Sequence, residues 1–347
     1  MSMDTGVTSV VNTNKDDIIL DVKGLKKYFP LTGGGFFKRT VGYIRAVDDV
    51  TFYVRRGETV GVVGESGCGK TTLGRCVSLL YQPTDGEIDV HLEDGILRVN
   101  EMDKEDTKRF RRNVQMIFQD PYASLNPRMT LLNIVGESLL VNDIAKGEEL
   151  ENRVGEMVTK VGLKAEYLRR YPHSFSGGQR QRIGIARALV INPKLVVADE
   201  PVSALDVSIQ AQILNQLKDL QQDFGLSYMF VSHNMAVIRY MSDRIMVMYA
   251  GKMMEIAPKD TILAQPRHPY TELLLSAVPR IASRGLHRIV TAGEPPDLLN
   301  LPKGCVFSPR CKYAKDICRN EVPGLIEVSK DHFVRCHFTN ELELLGI

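Results

Sequence analysis

The chain has 347 residues, of which 44% are hydrophobic, and a formal net charge of +2. Its length allows one large domain or two modest ones, and the hydrophobic fraction is sufficient for a packed core. The near-neutral charge does not predict a nucleic-acid partner. The longest apolar runs are far shorter than the roughly 18–20 residues needed to cross a bilayer, and the N-terminus lacks the basic and apolar stretches of a signal peptide. We therefore expect a chain that is soluble by itself.

Residues 1–17 are polar and are expected to be disordered, and a strand-rich lobe is expected over residues 18–115. Within this lobe, residues 31–38 (Leu-Thr-Gly-Gly-Gly-Phe-Phe-Lys) predict a hairpin or a loop insertion, because a glycine run favours turns. Phe36 and Phe37 either pack within this loop or contact a partner, and local packing is the simpler interpretation.

A phosphate-binding loop is indicated by residues 64–71, Gly-Glu-Ser-Gly-Cys-Gly-Lys-Thr, which match G-x-x-x-x-G-K-[ST]. An apolar run of strand length (59–63) precedes the loop and a helix-like run (72–80) follows it, as this motif requires. The backbone N–H groups of such a loop point at phosphates, and the helix N-terminus adds positive potential. We expect Lys70 to reach the β- and γ-phosphates and Thr71 to place its hydroxyl on Mg²⁺. The other nucleotide-binding residues of this loop are Gly64, Ser66, Gly67, Gly69 and Thr72.

A second phosphate-binding device is indicated further along the chain. Residues 120–185 are expected to be mostly helical, with helix-favouring composition over 148–161. Here a Ser-Gly-Gly-Gln sequence opens a helix, and a helix N-terminus binds anions. A chain with two such devices is expected to use the second on the nucleotide of another subunit. The residues of this motif are Ser176, Gly177, Gly178 and Gln179.

Residues 186–256 return to alternating strands and helices, which predicts the α/β fold class. The apolar run 195–198 ends in Asp199 and Glu200, and strand ends in a parallel sheet point into the ligand crevice. We expect Asp199 to hold Mg²⁺ and Glu200 to polarise the attacking water as a general base. Two acids could also simply end a strand in solvent, but the phosphate loop upstream favours the catalytic interpretation.

Together these motifs resemble the ATPase subunits of ABC transporters, over about residues 18–345. The resemblance implies a P-loop NTPase of the ABC type, with an antiparallel β subdomain, a helical signature subdomain at about 120–185 and a C-terminal Cys-containing extension. The ATPase domain would cover residues 18–257 and the extension residues 258–347.

The resemblance also assigns four further roles. Gln119 would sense Mg²⁺ and face membrane subunits, and His233 would contact the γ-phosphate as a catalytic switch beside Lys70 and Glu200. Tyr28 would stack on adenine, although Tyr28 or Phe29 could instead pack inward as a strand residue. The segment 203–206 (Ser-Ala-Leu-Asp) would lie at a dimer interface.

A narrower resemblance, to the peptide-importer branch of this family, lies in three stretches: 119–128, 268–279 and 304–311. It implies ATP hydrolysis that powers uptake of di- or oligopeptides, although this branch also takes up nickel chelates and glutathione. The implied partners are a second ABC ATPase subunit (a paralogue in the favoured case), two membrane-spanning permease subunits and an extracytoplasmic solute-binding protein. The implied location is peripheral, at the cytoplasmic face of a bacterial inner membrane. A DNA-repair or ribosome-associated ABC ATPase is disfavoured, because the chain has neither a long coiled coil between Lys70 and Asp199 nor a second ATPase core.

Four of the six cysteines cluster near the C-terminus with the spacing C-x5-C-x6-C-x17-C, whereas Cys68 and Cys76 lie at the phosphate loop and are expected to be inert. This spacing fits neither common zinc sites nor ferredoxins, so it leaves metal binding and free thiols open. The resemblance favours a [4Fe–4S] cluster of structural role, since several peptide-importer ATPases carry one here; zinc and free thiols are the alternatives. His332 and His337 are possible substitute ligands. The four cysteines are Cys305, Cys311, Cys318 and Cys336.

Overall fold

The computed structural model describes residues 17–33, 40–278 and 296–347. The disorder predicted for residues 1–17 concerns residues outside these ranges except Asp17, and the two interpretations of Phe36 and Phe37 also lie outside them.

The N-terminal lobe is an antiparallel four-stranded sheet in the order β2-β1-β4-β5. β1 and β2 pair as far as Thr32, which lies opposite Thr40, so the segment predicted as a hairpin or insertion joins two paired strands. Side chains alternate between the two faces of each strand, and the buried face packs over the central sheet. The strands of this lobe are β1 (Ile18–Thr32), β2 (Thr40–Arg55), β4 (Asp85–Leu92) and β5 (Gly95–Arg98).

The central sheet has eight strands in the order β11-β12-β10-β9-β3-β8-β7-β6, and the five consecutive strands from β9 to the edge strand β6 are parallel. In β7, Val196 and Ala198 pack into one hydrophobic core while Leu195 and Val197 pack into the other. A sheet covered on both faces explains why these strands are almost entirely apolar. The strands are β3 (Thr59–Val63), β6 (Val114–Ile117), β7 (Leu195–Asp199), β8 (Ser227–Val231), β9 (Arg244–Tyr249), β10 (Lys252–Pro258), β11 (Ile326–Ser329) and β12 (His332–Val334).

Helices cover both faces of this sheet, and α3, α4 and α5 pack on one another in the region predicted to be helical. None of the helices in the described ranges is both long and apolar enough to span a bilayer. The helices are α1 (Lys70–Val77), α2 (Lys104–Asn113), α3 (Leu131–Val141), α4 (Gly147–Lys160), α5 (Gly177–Leu189), α6 (Val207–Phe224), α7 (Met235–Met241), α8 (Lys259–Ala264), α9 (Pro269–Ser276) and α10 (Asp316–Asn320).

The C-terminal extension shares its sheet and its core with the ATPase part. β12 pairs with β10, where Val334 lies opposite Glu255, and Phe307 packs in the same hydrophobic core as the helical region. Arg335 donates to the Asp49 carboxylate at 3.0 Å, which ties the extension to the N-terminal lobe. The change of composition near residue 258 therefore does not coincide with a structurally separate unit.

Candidate active site

A cleft of about 640 Å³ lies at the carboxyl ends of the central strands. The turns after β3, β7 and β8 meet there, because the carboxyl ends of parallel strands lie along the same side of a sheet. Within the described ranges the cleft is lined by Phe29, Ile44, Ala46, Ser66, Gly67, Gly69, Lys70, Thr71, Thr72, Gln119, Glu200, His233 and Leu298.

The loop after β3 wraps around the Lys70 ammonium. Lys70 Nζ donates to the carbonyls of Gly64 at 2.9 Å and Glu65 at 3.0 Å, and the residue is only 5% exposed. Gly69 has φ 102°, and a side chain there would bring Cβ to 2.0 Å from the Ala46 carbonyl oxygen. This position therefore requires glycine, and the loop has the curled backbone that the sequence motif predicts.

Thr71 and Asp199 supply hard oxygen atoms at one point of the site. The Thr71 hydroxyl donates to Asp199 Oδ1 at 2.9 Å, and Asp199 is 1% exposed at the end of β7. Burial raises the pKa of the Asp199 carboxyl, and the hydrogen bond from Thr71 opposes that rise. Because hydroxyl and carboxylate oxygens are the ligands that Mg²⁺ prefers, this pair fits the predicted magnesium site.

Glu200 is held between two of the residues that the family resemblance singled out. Its Oε2 accepts from Gln119 Nε2 at 3.0 Å and lies 3.1 Å from His233 Nδ1. The Glu200 N–H donates to the Val231 carbonyl at 3.0 Å, and the Glu200 carbonyl accepts from the Ser203 hydroxyl at 3.0 Å. The structure thus brings three predicted site residues together at one carboxylate oxygen.

The aromatic residue of this cleft differs from the prediction. Phe29 and its cross-strand partner Ile44 line the cleft. Tyr28 points to the other face of β1, where its hydroxyl donates to Asp48 and the Arg45 guanidinium lies 5.8 Å from its ring. Successive strand residues face opposite sides, so Phe29, and not the predicted Tyr28, is the β1 residue among the described residues that line this cleft.

The Ser-Gly-Gly-Gln motif begins α5 as predicted, but among the described residues it does not line this cleft. Ser176 Oγ accepts from the Gln179 N–H at 3.3 Å, and Gln179 Oε1 accepts from the Ser176 N–H at 3.0 Å. This reciprocal capping box fixes the start of the helix. Ser176 itself is exposed, so its hydroxyl and the α5 N-terminus are accessible from outside the chain.

The four C-terminal cysteines line one small cavity of about 20 Å³, together with His268 and Phe307. All four are free thiols. Burial, with a smaller contribution from the neighbouring cysteines, raises the pKa of Cys311 to about 11 and that of Cys336 to about 12. Among the residues that the structure describes, no three His, Cys, Asp or Glu side chains are arranged to hold a single metal ion.

The two histidines proposed as substitute ligands lie in different places. His337 lines the cysteine cavity. His332 is on β12, where its Nε2 lies 2.7 Å from Glu255 Oε1, and both side chains are almost completely buried. Unlike His337, His332 is not among the described residues that line this cavity, so the structure does not bring it to the four thiols.

Glu65 of the phosphate loop contacts the C-terminal extension, which the sequence did not predict. Arg310 donates to both carboxylate oxygens, with Nη1 2.7 Å from Oε2 and Nη2 2.9 Å from Oε1. The Glu65 N–H donates to the Tyr270 hydroxyl at 2.9 Å. The segment 304–311 carried a family resemblance, but nothing in its sequence indicated that it reaches the phosphate loop.

Comparison with known proteins identifies the family. Residues 47–203 match the family described as ABC transporter, and residues 254–318 match the oligopeptide/dipeptide transporter C-terminal region. The oligopeptide transport ATP-binding protein AppF of Bacillus subtilis is 51% identical, over 92% of this chain and 97% of that protein. The dipeptide transport ATP-binding protein DppF of Escherichia coli is 46% identical, over 88% of this chain and 90% of that protein. A post-hydrolysis dimer of the ATP-binding cassette MJ0796 with ADP and Pi has a TM-score of 0.60 and 29% identity, over 70% of this chain and 99% of that one.

The chain therefore belongs to the ATP-binding subunits of ABC transporters, in the group with the oligopeptide/dipeptide transporter C-terminal region. The predicted α/β fold of the ABC type is confirmed. The chain is an ATPase of a transport system, and the predicted resemblance to the peptide-importer branch is confirmed by its relatives.

Proposed function

We propose that this chain powers the import of di- or oligopeptides from the cytoplasmic face of a bacterial inner membrane, where it is bound peripherally. Its partners would be a second ATPase subunit, two permease subunits and an extracytoplasmic solute-binding protein. The peptide cargo is supported by the names of its relatives and by the matching C-terminal region. The ATPase role is supported above all by Glu200, which lies between Gln119 and His233 in the same cleft as Lys70.

The roles of the site residues follow from these contacts. Lys70 would exchange the two loop carbonyls for phosphate oxygens, and Phe29 would pack on the adenine ring. Thr71 and Asp199 would hold Mg²⁺, which when bound neutralises charge on the transferred phosphoryl group. Glu200 would orient the attacking water and accept its proton.

His233 and Gln119 would act through Glu200, because both contact its Oε2. We propose that they fix the direction of the carboxylate and report the state of the site to the rest of the transporter. Phosphoryl transfer depends chiefly on positioning and on neutralisation of charge, so small displacements of this oxygen would change the rate.

A second copy or a paralogue would complete the site. The exposed N-terminus of α5 with Ser176 would bind the γ-phosphate of the nucleotide held by the partner, since helix N-termini bind anions. The segment 203–206 would lie at the contact between the two subunits. The dimeric form of the cassette MJ0796 with ADP and Pi supports this arrangement.

The cargo can be tested with the complete transporter, purified with its co-purifying chains and reconstituted in liposomes. We expect ATP-dependent uptake of a labelled dipeptide that is lost when Lys70→Ala replaces the wild-type subunit. Uptake of a nickel chelate or glutathione without any peptide uptake would contradict the proposed cargo but leave the ATPase role intact.

We also propose that Cys305, Cys311, Cys318 and Cys336 hold a [4Fe–4S] cluster. Four thiols that line one cavity supply the right number and type of ligands. A structural zinc ion needs its ligands about 2 Å from a single point, and the described side chains do not show such an arrangement. A cluster is larger than an ion, so its thiolates stand farther apart, and the cavity walls would move outward to admit it.

The test is the content of iron, acid-labile sulfide and zinc in anaerobically purified protein. We expect iron and sulfide together, lost in Cys336→Ser and retained in the control Cys76→Ala, whose thiol is buried in the other hydrophobic core. Stoichiometric zinc without iron, or no metal, would contradict the cluster while leaving the ATPase proposal untouched.

A further inference from the structure

Glu65 is the one acidic side chain within the phosphate loop. Two residues of the extension bind it: Tyr270 accepts from its backbone N–H, and Arg310 donates to its carboxylate. The Glu65 carbonyl accepts from the Lys70 ammonium at 3.0 Å, so this residue lies directly beside the cation that binds phosphate. A carboxylate here would repel the polyphosphate unless its charge were neutralised, because two negative charges within a few ångströms repel strongly outside bulk water.

Arg310 and Tyr270 are both fixed by contacts within the extension. Arg310 lies between Cys305 and Cys311, in turns closed by bonds such as the Arg310 N–H to the Phe307 carbonyl at 3.0 Å. Its side chain is 9% exposed, against 28% for Glu65. The Tyr270 ring packs against Phe307, with ring centroids 5.3 Å apart. Both contacts to Glu65 thus come from ordered parts of the extension.

We propose that Arg310 and Tyr270 are positioning residues for ATP binding: Tyr270 fixes the backbone of the phosphate loop at Glu65, and Arg310 neutralises the Glu65 carboxylate and keeps it turned from the phosphates. The extension is then part of the nucleotide site, beyond any role in cargo or assembly. This inference rests on the phosphate loop binding ATP, which Lys70→Ala tests separately, because that change removes the phosphate-binding cation whatever Glu65 contacts.

A purely structural role makes a different prediction. If the Arg310–Glu65 pair only anchors the extension, removal of either charge breaks the anchor, and removal of both does nothing to restore binding. If Arg310 neutralises Glu65, removal of Arg310 alone leaves an uncompensated carboxylate, and removal of both charges restores binding. The two roles therefore differ in the affinities of Glu65→Gln and of the double variant: both bind ATP as weakly as Arg310→Gln if the pair is only an anchor, and both bind close to the wild-type level if Arg310 neutralises Glu65.

The experiment is calorimetric titration of ATP into the full-length chain, handled anaerobically, for Arg310→Gln, Glu65→Gln and the double variant. We expect Arg310→Gln to weaken ATP binding roughly 5- to 50-fold, within the usual range of coupling in contacting pairs, and the double variant to recover most of that loss. The loss should shrink at high salt, since screening weakens charge repulsion. Arg319→Gln, which removes an exposed ion pair with Asp316 in the same segment, is the control and should bind ATP normally.

Two further variants guard against misfolding. Arg310→Lys keeps the charge but not the bidentate contact, and should retain most of the affinity. Tyr270→Phe removes the hydroxyl that accepts from Glu65 and should weaken binding about 2- to 10-fold, the loss typical of one hydrogen bond. The proposal is overturned if Arg310→Gln binds ATP like the wild type, if the double variant binds as weakly as Arg310→Gln, or if Arg310→Lys loses as much affinity as Arg310→Gln.

Discussion

Glu200 has a left-handed backbone, with φ 45°, which is unusual for a residue other than glycine. Such a conformation costs about 1–2 kcal/mol. It is held by the hydrogen bond from its N–H to Val231 and by the contact of its carbonyl with Ser203. The strained backbone directs the carboxylate into the cleft instead of continuing the line of β7, and backbone strain of this kind is concentrated at functional sites.

We expect Glu200→Gln to keep ATP and Mg²⁺ binding but to lower turnover by roughly 10²–10⁴-fold, the contribution of a general base. The amide has the same shape but cannot accept a proton from water. ATP turnover of the assembled transporter measures the effect, with the exposed Glu93→Gln as control. A Glu200→Gln complex that hydrolyses ATP at the wild-type rate would refute the assignment.

The two neighbouring aromatic residues on β1 give a matched pair of variants. Phe29→Ala should weaken ATP binding roughly 5- to 100-fold, from the usual contribution of aromatic stacking on a base. Tyr28→Phe should leave binding nearly unchanged, because the Tyr28 hydroxyl bonds Asp48 on the other face of the strand. Calorimetry with ATP checks both, and the reverse ranking would restore Tyr28 as the adenine contact.

The convergence in one cleft of the residues proposed to be catalytic was predictable, because each follows a buried parallel strand and those strand ends lie together in any sheet of this type. Phe29 was missed because the sequence does not show which face of β1 looks into the cleft. The contact of Glu65 with Arg310 was not predictable either, since 245 positions separate these residues and only the packing of the extension brings them together.

At the scale of elements, the N-terminus of α5 is proposed to bind the nucleotide held by another subunit. The capping box of α5 leaves the N–H groups of Gly177 and Gly178 at the exposed end of the helix. Because both residues are glycines, no side chain of theirs covers these N–H groups. A long cationic side chain at Ser176 would occupy this end and compete with an incoming phosphate for space.

We expect Ser176→Arg to leave the ATP affinity of the isolated chain nearly intact but to lower hydrolysis by the assembled complex roughly 10²–10³-fold, as for the loss of one stabilising donor. Loss of the cap costs about 1 kcal/mol, so Thr130→Ala, which removes the cap of α3, is the matched control. A large loss of affinity in the isolated chain would place Ser176 in the site of its own chain.

Strong local sequence patterns predicted the positions of β3 and α4 well, but they did not predict where α1 ends. The apolar run 59–63 is β3, and the helix-favouring stretch 148–161 corresponds to α4 (Gly147–Lys160). The helix after the phosphate loop was predicted to reach residue 80 but ends at Val77. Leu79 adopts φ 55°, which a helix cannot continue through, and no residue in that stretch signals this turn.

At the scale of the whole molecule, the extension and the ATPase part form one packed body. Glu255 on β10 is completely buried and accepts from the N–H groups of Arg267 at 2.7 Å and His268 at 3.0 Å, besides its contact with His332. One carboxylate thus joins the central sheet, the segment leading to α9 and the last strand.

We expect His332→Ala to lower the free energy of unfolding of the whole chain by about 1–3 kcal/mol, because a buried carboxylate loses one of its hydrogen-bond partners. Urea denaturation followed by circular dichroism measures the change, and the exposed His173→Ala serves as control. A single transition shifted to lower urea would show that the extension unfolds together with the ATPase part. An unchanged midpoint would contradict the importance of this contact.

The short hairpin of β11 and β12 has a protective consequence. It covers β10, a seven-residue strand that is almost entirely buried, and itself presents to solvent only the four exposed or half-buried residues of β11. Long apolar edges invite pairing with other molecules, whereas very short ones do not. A chain truncated before residue 325 would lack β11 and β12 and would expose the unpaired side of β10 to other molecules. We expect such a truncated chain to aggregate with other copies before its active site is lost.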